Sequence, residues 1–316
     1  MNKLWDVAIV GGGAAGLSAA ITLARSRRSV VVIDDHRPRN APADRVHNYL
    51  GRESTPPTEL FGIGRDEATQ YGATFSDGSV TSVSHADNHF DVAVDLQDNA
   101  ASVVHARRVL VATGAVDELP EIDGLAQRWG RDVLHCAYCH GWEVRDRAIA
   151  VLGTSPLAVH HALLFRQLSE NVTLLRHNDF PLSQVEAAQL ARRDIAVIDG
   201  PVTRLRITED ALSGVELETG ATMACEALVV ATVVSARIDM LAPVQLTTQE
   251  MRLGDHLFGT FLPVTQGATA VPGIYAAGNV TDIKAQVITS AAAGTEVAAI
   301  INANLALADS KESVHA

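Results

Sequence analysis

Two cysteines three positions apart, in His135-Cys136-Ala137-Tyr138-Cys139-His140-Gly141-Trp142-Glu143, are the residues of this chain best suited to chemistry. CxxC spacing holds two sulfurs close enough for a disulfide to form and open with little backbone motion. A neighbouring cation or helix N-terminus then brings a thiol pKa toward the reactive range. His135 and His140 can supply that charge and can carry the protons that thiol exchange moves at both ends. Two other readings stay open. A structural zinc site wants four ligands, usually from two such half-sites, and the third cysteine, Cys225, has no paired ligand at short spacing. A pair of buried inert thiols is the other, because cysteine is among the most buried residue types. Cys225, in the apolar MACEALVV, reads as a core residue of this kind.

A second constellation is Gly11-Gly12-Gly13-Ala14-Ala15-Gly16, which satisfies GxGxxG through Gly11, Gly13 and Gly16. The first glycine makes a tight turn, the second lets backbone approach a pyrophosphate, and the third lets helix pack on strand. The apolar run LWDVAIV precedes it and an Ala/Leu-rich stretch follows, so the phosphates would meet free N–H groups at a helix N-terminus. Asp34 ends the next strand, 18 residues after Gly16, where a carboxylate accepts from a ribose diol and favours an unphosphorylated adenosine, as in FAD or NAD. Val111-Ala112-Thr113-Gly114-Ala115 and Gly273-Ile274-Tyr275-Ala276-Ala277-Gly278-Asn279 both end strands. They resemble the ATG and GxxxAGD motifs of two-dinucleotide flavoproteins, which selects FAD. Asn279 stands where that motif has its acid, and an amide can still bond a ribityl hydroxyl.

The elements that must position these residues form a duplicated pattern. Strand 4–10, helix 14–25 and strand 29–33 make one βαβ unit. Strand 148–152, helix 156–168 and strand 171–175 make a second. Segment 36–58 reads as an extended loop, 59–71 as an amphipathic helix, and 79–84, 89–95 and 102–106 as a small antiparallel sheet leading into strand 108–112. The expected fold is α/β with two Rossmann-like domains, the second inserted into the first. The expected boundaries are 1–117, 118–236 and 237–316, with 232–270 loosely patterned and a last helix over about 285–305. A formal charge of −12 without a basic stripe excludes a nucleic-acid partner. No uninterrupted apolar run approaches the roughly 18 residues of a membrane span. The opening MNKLWDVAIVGGG has no apolar signal core, so the expectation is no membrane and a cytoplasmic location.

The order of first glycine loop, ATG, CxxC ahead of a second nucleotide fold, and GIYAAGN resembles low-molecular-weight thioredoxin reductases over essentially the whole chain. CxYCHGWE, the PRN at 38–40, HNYLGR at 47–52 and VLGTSPLAVHHALL at 151–164 look like the thioredoxin-reductase-like dithiol oxidases, which close disulfides in natural products such as holomycin, gliotoxin and romidepsin. The resemblance implies an FAD-containing homodimer with its CxxC facing the flavin, a small-molecule dithiol as substrate and O2 as acceptor. It makes Cys136 the sulfur that meets substrate, Cys139 the flavin-proximal one and His140 the acid/base. It places His47 and Asn48 beside the isoalloxazine and the backbone of Gln286 and Val287 at its pyrimidine edge. Ala14, Ala15, Asp35, Asn40 and Val80 are counted with the cofactor contacts.

True reductases carry an Asp where this chain has His140. The second loop, Gly153-Thr154-Ser155-Pro156-Leu157-Ala158, puts Ser155 where a glycine admits pyrophosphate, and only Arg176 and His177 remain of a 2′-phosphate cluster. The imidazole suits taking protons from a dithiol, while the altered loop and the reduced cluster count against NADP(H). The alternatives are an NADPH-dependent thioredoxin or disulfide reductase, and a flavin-binding redox sensor without turnover.

Overall fold

A computed structural model describes residues 3–96 and 100–312. The chain divides into two compact units. One holds the chain up to Ala41, Tyr49–Asp117 and the chain from Val234 on, and the other holds Pro42–Asn48 and Glu118–Val233. The second unit thus takes in 42–48, a segment that the sequence reading gave to the first.

In the first unit the strands Leu4–Val10 and Val30–Asp34 pair in parallel, Val7 opposite Val30 and Val10 opposite Ile33. The long strand Ala101–Val111 lies along the other side of Leu4–Val10 and carries the short strand Ile274–Ala276 beyond it. Val30–Ile33 are at most 3% exposed, because a central parallel strand is covered on both faces and must be apolar throughout. The sequence pattern predicts separate strands over 102–106 and 108–112 and another beginning at 79. Instead Thr74–Ala86 and Ala101–Val111 each run unbroken, parallel at one end and antiparallel to His89–Leu96 at the other. One continuous backbone serves the parallel and the antiparallel part of a single six-stranded sheet because pairing partners change while the extended conformation does not.

The helix Ala14–Arg25 packs on the last helix, Val287–Glu312, through Ala15, Ala19, Ala20 and Leu23 against Ala298, Ile301 and Leu305. Small residues let the backbones close up: a Cβ on Gly294 would collide with the Ala15 carbonyl. By length and composition alone Val287–Lys311 could cross a bilayer. Arg28 and Arg107 donate to its Asn302 and Asp309 at 2.6–2.8 Å and tie it to the rest of the first unit. Segment 232–270, without a readable pattern in sequence, holds strands Val233–Ala236, Gln249–Leu253 and His256–Phe261.

The second unit is a five-stranded parallel sheet in the order Ala196–Asp199, Val172–Arg176, Ile149–Leu152, Ala227–Val230, Val133–Leu134. The helix Leu157–Phe165 follows Ile149–Leu152 and buries Ala158, Ala162 and Phe165 against this sheet. An antiparallel sheet of Val202–Thr208, Ala211–Leu217 and Thr222–Met223 accompanies it.

Candidate active site

The first glycine loop opens on a cavity of about 510 Å³, inside the usual range for small-molecule sites. Gly11, Gly13, Asp34, Asp35, Val80, Ala112 and Thr113 line it. The loop's shape depends on two glycines. Gly11 has φ +107°, and a Cβ there would strike the Ala112 carbonyl. Gly13 has no atom within 4 Å of where its Cβ would stand, so the space that a side chain would take is open to a ligand. Gly12, not anticipated as a contact, donates its N–H to Asp34 Oδ1 at 3.1 Å and aligns the carboxylate beside the loop. Ala14 and Ala15 open the helix, and Gly16 packs against the Gly11 carbonyl. The residues present fit the adenosine and pyrophosphate of a dinucleotide.

Sequence reasoning missed most of the outer wall. Arg37, Ser79, Thr81, Arg237 and Met240 line the cavity too. Arg37 is forked onto Asp35 at 2.6 and 2.9 Å, and Arg237 donates to the Arg37 carbonyl at 3.1 Å. No motif marks Arg237 or Met240, which stand far along the chain from the loop they face. Asn40 lies in the turn after Arg39 and outside the lining. That turn is held by Arg39, which grips Asp117 in a fork at 2.6 and 2.7 Å. Gly114 has φ +70°, and the neighbouring Thr113 hydroxyl donates to the Arg237 carbonyl at 2.7 Å.

Asn279 follows the strand Ile274–Ala276 and Gly278. Its amide nitrogen donates to the carbonyls of Asp282 and Ala285 at 3.0 and 2.9 Å, closing the loop that delivers Gln286 and Val287 to the start of the last helix. The carbonyl oxygen of the same amide is the atom left to accept from a ligand hydroxyl. An aspartate could accept likewise but would set a carboxylate against two carbonyls. The amide nitrogen therefore does a task that an ionised acid could not.

Cys136 and Cys139 form a disulfide, with Cα atoms 5.2 Å apart. Cys136 caps the short helix Ala137–His140, and its sulfur accepts the Cys139 N–H at 3.2 Å, a contact that favours negative charge on Cys136 when the bond opens. The segment 42–48 supports this turn. Asn48, at φ +59°, donates to the Tyr138 carbonyl at 2.7 Å, and His47 Nε2 lies 3.3 Å from Glu143. His47 and Asn48 are thus placed against the cysteine turn. Burial is the largest influence on His140 and holds its imidazole below the usual histidine pKa; His47 adds to this, while Glu143 and Asp44 oppose it. At neutral pH the ring is uncharged and can take a proton. Its neighbour His135 stacks on Trp129, ring centres 5.6 Å apart. Cys225 is buried and free, and its thiol is pushed up to about 12, first by burial and then by Asp132 and Glu226.

A redox disulfide and an open dinucleotide loop in one chain agree with the match of residues 5–298 to the family described as pyridine nucleotide-disulphide oxidoreductase. The chain belongs to that family. As a member it is a flavin-dependent thiol–disulfide oxidoreductase with a two-domain Rossmann-type fold. It is similar to the thioredoxin reductase aclD of Aspergillus oryzae, 29% identical over 87% of this chain and 88% of that one. It is 31% identical to the thioredoxin reductase sirT of Leptosphaeria maculans over 69% and 71%. The thioredoxin reductase tcpT of Claviceps purpurea is 35% identical over 58% of this chain, and the chain spans 58% of that relative's length. Among solved structures, that of HlmI superposes with a TM-score of 0.87 at 39% identity, over 100% of this chain and 97% of that one.

The family's second nucleotide loop is altered in this member. Ser155 is 1% exposed, and its hydroxyl has no hydrogen-bond partner. Asn178 bridges to the Thr154 carbonyl at 3.0 Å. Arg176 is bound to Asp199 at 2.6 Å and to the Phe180 carbonyl at 3.0 Å. His177 accepts the Val202 N–H at Nδ1 and is held below the usual histidine pKa by burial, so it is uncharged. Ser155 of this loop is therefore covered, and Arg176 and His177 beside it already have partners.

Proposed function

We propose that this chain is an FAD-dependent dithiol oxidase that closes an intramolecular disulfide in a small-molecule dithiol. FAD is assigned to the cavity at Gly11–Gly13, Asp34 and Thr113, with Asn279 accepting from its ribityl chain. When bound, it supplies the two-electron acceptor for the cysteine pair, with O2 as final oxidant and H2O2 as product. The net change is R(SH)2 + O2 giving the cyclic disulfide and H2O2.

The protein's own residues act in two exchanges. A substrate thiol loses its proton to the neutral imidazole of His140, and its sulfur attacks Cys136 Sγ. The Cys136–Cys139 bond breaks, and Cys139 leaves as thiolate. The second substrate thiol then releases its proton to solvent, and its sulfur attacks the first, closing the ring and expelling Cys136 as a thiolate whose developing charge meets the Cys139 N–H. Tyr138 and Trp142, each 65% exposed on either side of Cys139, give an apolar substrate surface to rest on. Homodimerisation, by the same likeness, belongs to this reading.

The observation that supports this direction is the covered second loop: Ser155 is buried, Arg176 paired and His177 neutral, which disfavours nicotinamide as the electron donor. The relatives' names favour the opposite direction, an NADPH-dependent reductase. Anaerobic mixing in a stopped-flow instrument separates the two. Flavin absorbance should bleach with a small dithiol and stay unchanged with NADPH, and oxygen uptake should follow on aeration. Fast bleaching by NADPH would overturn the oxidase.

A further inference from the structure

The antiparallel hairpin of the first unit gathers two imidazoles and a carboxylate on one face, away from the glycine loop. His89 and Asp91 stand two apart on the strand His89–Leu96 and so share a face, and Asp91 pairs directly with His105 on the strand Ala101–Val111. A single oxygen, Asp91 Oδ1, lies 3.1 Å from His89 Nε2 and 2.6 Å from His105 Nδ1. The rings stand edge to face with centres 5.2 Å apart, and all three donor atoms lie within 4.8 Å of one another. Among the described residues this is the one such group of three.

We propose that His89, Asp91 and His105 form a binding site for a divalent cation of the zinc class. Tetrahedral coordination at 2.0–2.2 Å sets ligand atoms roughly 3.3 Å apart. The two imidazole–carboxylate spacings, 3.1 and 2.6 Å, fall short of that value by less than an ångström, and small side-chain rotations on a fixed ladder open the set to it. Two of the three donors are imidazole nitrogens, which suits zinc, nickel or copper and disfavours the oxygen-seeking magnesium and calcium. Three protein ligands leave at least one position for water. The cation would staple two strands, one of which continues through Val109–Val111 to Ala112 and Thr113 in the cavity wall.

The test uses the full-length chain with its disulfide closed and no reductant, so that Cys136 and Cys139 cannot compete for metal. Calorimetric titration with Zn2+ should give one saturable site per chain, and Mg2+ should give no heat. The double variant His89→Gln/His105→Gln should bind Zn2+ at least tenfold more weakly. Absence of saturable Zn2+ binding below the millimolar range, or equal affinity in the double variant, would overturn the site. If that variant does not fold, Asp91→Asn decides. Zn2+ should raise the melting temperature of the parent protein and not that of the variant, and an equal rise in both would count against the proposal.

Discussion

The two nucleotide-type folds of this chain start alike, strand into glycine turn into helix, and differ at the residue that matters for a phosphate. In the first, Gly13 faces open space and borders a cavity; in the second, Ser155 occupies the equivalent place and is buried. The helices differ in the same sense. Ala14–Arg25 buries small apolar residues, whereas Leu157–Phe165 carries the half-buried His161, whose Nδ1 is buried without a hydrogen-bond partner. The scaffold survives loss of its ligand because strand pairing and helix packing need only apolar faces, while the ligand needs absent side chains and uncommitted N–H groups. The second fold gives the chain instead its Cys136–Cys139 turn and His140.

That division of labour can be broken at several points. His140→Gln should lower dithiol turnover about 100- to 1000-fold by removing the proton acceptor, without changing flavin content. Because the His140 pKa is depressed, the acid limb of the parent's pH–rate profile should fall below pH 6.5, where the imidazole becomes protonated, and should vanish in the variant. Gly13→Ser, which copies Ser155 into the first loop, should weaken FAD about 100-fold by dialysis or fluorescence titration. Its melting temperature without FAD should be unchanged, because nothing surrounds the new side chain.

The second fold should be the acid-sensitive one. Burial, with His160 adding, pushes His161 down to about 4. The unfolded chain therefore binds a proton between pH 6.5 and about 4 that the native chain refuses, and stability falls as pH falls through that window, by about 2 kcal/mol at pH 5. His161→Leu should remove that loss in urea titrations at pH 5 and 7. A smaller effect should follow Asn279→Asp, which restores the acid usual in such motifs yet faces two carbonyls; FAD should bind about tenfold more weakly. Tighter binding would show that the amide is only tolerated. Smallest, Ser155→Ala removes a buried hydroxyl without a partner and should stabilise by about 1 kcal/mol in urea, with no gain of NADPH binding.

The sequence by itself determined the local and the covalent: the duplicated strand–turn–helix, the turn glycines, the CxxC spacing and the acid ending the second strand. These are legible because glycine tolerance, apolar periodicity and sulfur reach are properties of a few adjacent residues. Tertiary structure alone decided which distant groups meet. It put Arg237 and Met240 into the wall around Gly11–Gly13, set His47 and Asn48 on the cysteine turn, tied the Asn279 amide nitrogen to two carbonyls, and gave Arg176 and His177 partners of their own. Each outcome depends on which backbone and side-chain groups are left unpaired once the sheets have formed, and no run of neighbouring residues carries that information.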